Sequence, residues 1–167
     1  MTGARKVAIV GVFNLMLMLL AVLLLDMPRS ALAAESNDNA LAFVQQRHLG
    51  DSLAWLGFQV ASRTNTFADI VQKVGKVRGQ SLIQNELQRL QPTYQEQWNR
   101  NLAAAYAESF SASEMRTLNE GDVPKELATK FQAKQKDVGM SMKAKSAELL
   151  KTFVAQVLLN AQTQLTQ

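Results

Sequence analysis

Apolar residues recur at spacings of three and four along this chain, and the pattern predicts a run of helices. A short helix fits Ala40 to His48, with Leu41 and Val44 one turn apart and Gly50 beyond them as terminator. Asp51 is placed to cap the next, Ser52 to Arg63, whose Leu53, Trp55, Leu56, Phe58, Val60 and Ala61 make it apolar on nearly all sides. Such a helix is enclosed by others or pressed on a membrane, and enclosure is the commoner cause. Gly57 allows another backbone to come close. Thr66 is placed to cap a third helix carrying Phe67, Ile70, Val71, Val74 and Val77, and Gly75 with Gly79 predicts a bend. Leu82, Ile83, Leu87 and Leu90 continue the pattern up to Pro92. That proline is read as opening a further helix with Tyr94, Trp98, Leu102, Ala105 and Ser109 along one side.

Between Tyr106 and Leu118 the chain turns a corner. Ser111 followed by Glu114 is a capping box, and Phe110 with Met115 takes the positions of a hydrophobic staple. A short helix, Ala112 to Glu120, ends at Gly121. Tyr106, Phe110, Ser111, Glu114 and Met115 resemble a bacterial exported family, the domain of unknown function twenty-fifty-nine. Its recurring feature is a Tyr and then Phe-Ser/Thr-x-x-Glu-Leu between two helices. Met115 stands where Leu is usual. Where the family carries Phe-Tyr-x-Ser-Pro-x-Gly, this chain keeps only a counterpart of the proline, Pro124. The resemblance implies export and a helical corner, and no particular activity.

The last helix is the longest. Leu127 and Phe131, Val138 and Met142, and Leu149 and Phe153 repeat at eleven residues, which draws a narrow straight seam that one neighbour covers. From Leu150 a second set, Val154, Val157, Leu158, Ala161 and Leu165, points more than about 90° away. A different partner must cover it, either the earlier helices or another subunit.

The start of the chain is of another kind. Arg5 and Lys6 precede an apolar run from Val7 to Leu25, and Ala31-Leu32-Ala33 follows Pro28, the layout of a secretory signal peptide over residues 1–33. An uncleaved anchor is the alternative, since the run just reaches a span's length. The expected domain is then 34–167, with residues 34–39 a loose polar terminus. Removing residues 1–33 takes away three basic side chains and one acidic one, so the formal +4 falls to +2. With no cysteine, neither disulfides nor thiol chemistry is available, and apolar packing must carry stability.

Little in this composition carries chemistry. His48 is the single histidine, and without cysteine it builds neither a metal centre nor a convincing nucleophile pair, so no metal or cofactor is expected. Glu86, Glu96, Glu108, Glu114, Glu120 and Glu126 are scattered singly and read as solvated helix faces. Seven lysines between Lys125 and Lys151 face three acids, a local surplus that would suit acidic lipid headgroups, a polyanion or an acidic partner, though lysines also keep a long helix soluble.

The sequence thus predicts an all-α, single-domain bundle of about six helices, exported and most simply periplasmic, or tethered to the inner membrane if the signal stays. Its expected role is a non-enzymatic binding or interaction module. The candidate surface is Trp55, Phe58, Phe67, Val154 and Leu158 with Lys134 and Lys145. Expected partners are an envelope protein or a small apolar ligand, not nucleic acid; a homodimer and a peripheral or tethered membrane contact are further readings. A carboxylate-dependent hydrolase and a membrane-tethered structural protein are the alternatives.

Overall fold

The computed structural model describes residues 29–166, so the apolar run Val7 to Leu25 lies outside the described residues. The chain divides after Ala34, and the body from Glu35 onward is an all-α bundle. Its helices are α1 (Arg29–Gln46), α2 (Leu53–Ala61), α3 (Asn65–Val74), α4 (Lys76–Ala107), α5 (Ala112–Glu120) and α6 (Lys125–Gln164). Among the described residues there is no strand, and no helix is long and apolar enough to cross a membrane.

Helices α4 and α6 form the spine and lie antiparallel. Asn101 of α4 meets Ser146 of α6 at 3.1 Å, while Glu86, four turns earlier, meets Gln164 at 2.7 Å. The eleven-residue seam faces this contact: Val138, Met142 and Phe153 are buried, and Leu127, Phe131 and Leu149 are half-buried against the core. Helices α2 and α3 lie against both.

The corner forms as its residues dictate. Glu114 N–H donates to Ser111 Oγ at 3.3 Å and Ser111 N–H to the Glu114 carboxylate at 2.9 Å, closing the capping box. Phe110 and Met115 are both buried. The corner is also held from outside itself. Lys130 of α6 reaches Glu114 at 2.7 and 2.8 Å and sits 5.2 Å over the Phe110 ring. Tyr106 stacks on Phe131 with centroids 6.0 Å apart and meets Phe43 edge-on at 5.4 Å, so one aromatic cluster joins α1, α4 and α6.

Several boundaries differ from the sequence reading, each for a physical reason. Residues 34–39 are helical, not loose. Ala40 is fully buried, Ser36 bonds the Phe110 carbonyl at 3.4 Å and Glu35 pairs with Arg116 at 2.7 Å, and these contacts hold the first turns down. α1 ends at Gln46 rather than His48, and the left-handed residue that terminates it is His48, at φ 53, rather than Gly50: Leu49 N–H bonds Val44 O and His48 N–H bonds Gln45 O. Gly50 is small for packing, since a Cβ there would run into the Asn99 side chain. Ser52, not Asp51, is the cap position of α2, and it makes no side-chain capping bond. Thr64, not Thr66, caps α3, accepting from Phe67 N–H at 3.2 Å.

Pro92 lies inside α4 and opens nothing. It removes one backbone donor, but Pro92 and Gln88 are both exposed, so water can reach the carbonyl left behind, and Leu87 and Trp98 bury the helix on either side. The break expected in the glycine segment falls at Gly75, φ 85, where α3 ends and α4 begins. Glu86 is not on a solvated face but buried, its carboxylate held by Arg89, Asn160 and Gln164.

Candidate functional site

Helix α2 is nine residues long and apolar all round, yet only Leu53, Gly57 and Ala61 are buried. Those three recur every fourth residue and form one stripe, so the remaining apolar side chains face elsewhere. Two faces result. Leu56 and Val60 turn toward α6, where the second apolar set begins at Leu150, and a groove of about 720 Å³ lies between them. Its floor is Trp98 and Leu102 of α4, with Met142, Val154 and Leu158 of α6. This volume lies within the usual range for small-molecule sites, about 300–1,000 Å³.

The turn after α1 closes one side. Because His48 takes the left-handed position, the chain reverses there and Leu49 reaches the groove wall. Gly50 O accepts from Gln95 Nε2 at 2.8 Å, which fixes the turn to α4. α2 then runs alongside α6 in the same direction: Gly50 sits by Asn99 at its start, and Gly57 by Leu87 and Phe153 further on. Ser52 therefore lies toward the Lys143 end of the groove and Val60 and Thr64 toward Leu158.

The lining is almost wholly apolar. Thr64 donates to Ala61 O at 2.7 Å, and Ser146 Oγ accepts from Asn101 at 3.1 Å, so those hydroxyls are engaged. Trp98 is buried, and its indole nitrogen has no hydrogen-bond partner among the described residues. Lys143 and Lys151 are the charged members of the lining, and no carboxylate is among them. With Ala147 they follow at four-residue spacing along one edge of α6. Lys143 has no ion-pair partner among the described residues, and Lys151 meets Glu148 at 3.5 Å with both side chains exposed.

The residues picked out from sequence fall in different places. Val154 and Leu158 line the groove. Trp55, 63% exposed, and Phe58 border a smaller depression with Gln84, Leu87 and Gln88, and Phe67 meets Phe58 edge-on at 6.1 Å. Lys134 pairs with Asp137 and Lys145 with Glu108, at 2.8 and 2.7 Å. Reading the sequence for sites missed Lys143, Lys151 and Leu49. Its usable signals were the all-round apolarity of α2 and the new apolar face at Leu150, which together imply a surface that one neighbour cannot fill.

The carboxylates with displaced titration lie outside the groove and all move the same way. Arg89, aided by Asn160 and Gln164, holds Glu86 below the usual carboxylate range; Lys145 and Ser141 do so for Glu108, Lys130 and the Ser111 amide for Glu114, and Lys134 for Asp137. Burial pushes the Tyr106 phenol up. No group of three or more potential ligands that could hold a metal occurs among the described residues, and His48 stands exposed beside Asp51 at 3.4 Å. No family model, curated protein or solved structure matches this chain, so the resemblance drawn from Tyr106, Phe110, Ser111, Glu114 and Met115 rests on those residues alone.

Proposed function

We propose that this protein is a non-enzymatic binding module that takes a small apolar ligand in the groove between α2, α4 and α6. One observation carries the reading: a space of about 720 Å³ walled by apolar side chains and free of carboxylates. Export to the periplasm fits the residue pattern of the first 33 positions and stands on that pattern alone. A hydrolase using paired acids draws no support from this site, because no carboxylate lines it.

Trp98 makes the reading testable. The chain has two tryptophans, and Trp55→Phe leaves the one that floors the groove as sole reporter. Titration of that variant with 1-anilinonaphthalene-8-sulfonate should give saturable one-to-one energy transfer from Trp98. Adding Val60→Arg, at a groove-wall position 38% exposed and so tolerant of a charge, should abolish it without changing the circular dichroism spectrum. Absence of saturable binding, or binding indifferent to Val60→Arg, overturns the reading.

A further inference from the structure

Resting on that reading, we propose that the ligand is a single-chain anionic amphiphile, an unbranched aliphatic tail lying along α6 with its head held by Lys143 and Lys151. The length and the lining of the groove select the tail. From Gly139 to Leu158, α6 lines it over about 28 Å at 1.5 Å per residue. A peptide laid along it would bring backbone amides against walls with almost no free polar groups to receive them, whereas a polymethylene chain has no polar atoms to satisfy.

Charge selects the head. Both charged lining residues are lysines, on one edge and two turns apart, and no lining carboxylate opposes an anion. Elsewhere on α6, Lys130, Lys134 and Lys145 are committed to Glu114, Asp137 and Glu108 at 2.7 to 2.8 Å. Lys143 is left uncommitted among the described residues, at the end where Ser52 also has a hydroxyl outside any capping bond. The tail then runs past Leu56 and Leu150 toward Val60 and Leu158.

The test uses the full chain carrying Trp55→Phe and compares dodecanoate and dodecyl phosphate, each below its micelle concentration, with dodecanol below its solubility limit, as displacers of the dye. Both anions should bind about five- to tenfold tighter than the alcohol, the gain expected of two exposed ion pairs. That preference should shrink in 0.5 M salt and vanish in Lys143→Gln/Lys151→Gln, while dodecanol affinity stays within about twofold. A preference for dodecyl phosphate over dodecanoate would name a phosphate monoester head, and the reverse a fatty carboxylate. Equal affinity for alcohol and anions, or a preference that survives the double substitution, overturns the proposal and leaves the groove reading intact. If none of the three displaces a dye whose binding Val60→Arg abolishes, the proposal falls and the groove reading stands. If the lysine pair governs sedimentation with phosphatidylglycerol vesicles but not the anion preference, the lysines serve a membrane surface and the proposal is wrong.

Discussion

Glu86, in the first half of α4, accepts a hydrogen bond at 2.7 Å from Gln164, in the last turn of α6, and so ties the two helices of the spine together at one end. Arg89 completes the carboxylate's shell with contacts of 2.6 to 3.1 Å and Asn160 adds another at 3.2 Å. A buried acid with this many donors is more stable ionised. Its folded pKa therefore lies below its ordinary value of 4.5, and the stability it contributes is fully present above that value and lost as pH falls through the lower folded value. Glu108 and Glu114 share this sign. Urea midpoints should be level from pH 7 to 5 and drop below about 4.5, and Glu86→Gln should shrink that drop. Glu86→Ala, which leaves Asn160 and Gln164 without an acceptor, should cost about 2 kcal/mol at pH 7. A midpoint unchanged in Glu86→Ala would show that the tie carries no load.

Gly57 is the second fixed point. A Cβ there would lie 2.7 Å from Leu87 Cδ2 and 2.9 Å from Phe153 Cε1, and both neighbours are buried in the spine. Glycine in a helix interior costs about 1 kcal/mol against alanine, so propensity alone makes Gly57→Ala stabilising. Overpacking opposes it at about 1–3 kcal/mol, and with neither neighbour free to move it should win. Chemical denaturation of Gly57→Ala should show a net loss of about 1 kcal/mol or more. A gain would mean that Phe153 turns aside easily and that α2 is held less closely to the spine than the distances imply.

The two faces of α6 and the corner at Ser111 were legible in the sequence because each is a local matter: eleven-residue spacing, or an S-x-x-E written within four positions. What was not legible depends on contacts far apart in the chain. Glu86 looks like any exposed helix acid until Asn160 and Gln164, more than seventy residues on, meet it. Pro92 resembles a helix start because one-dimensional signals cannot say that Leu87 and Trp98 hold the helix together across it. Half of the groove was readable, as apolar positions on α2 and α6 that one neighbour could not cover. The other half, Leu49 and the lysine edge, follows from where a turn places the chain in space.

That turn depends on His48, which occupies with φ 53 a position where glycine is usual. Its side chain is exposed, and its contact with Asp51 at 3.4 Å joins two exposed groups, so little is lost with it. His48→Gly should relieve the left-handed strain of a side-chain-bearing residue and raise stability by about 0.5–1 kcal/mol, read as a higher urea midpoint at pH 7.5. His48→Val, β-branched, should lower it by at least as much. If His48→Gly is neutral or destabilising, the turn is held by something other than the backbone conformation assigned to it.

Phe110 closes the corner, and three separate contacts meet on it: the Lys130 ammonium at 5.2 Å, the Phe131 ring at 5.7 Å and the Tyr106 ring at 6.2 Å. Loss of its ring should therefore act on α6 as well as on the corner. Phe110→Ala should cost about 3–5 kcal/mol, the range of a fully packed aromatic, whereas Ser111→Ala should cost about 1 kcal/mol, the value of a single N-cap. Lys130→Met, which keeps the aliphatic stem beside Phe110 and drops the charge, should cost less than Phe110→Ala and should release Glu114 to a higher pKa. The pKa is measurable by following the Glu114 carboxyl carbon by NMR through an acid titration. Should Phe110→Ala cost no more than Ser111→Ala, the cap alone sets the corner and the aromatic cluster only fills space beside it.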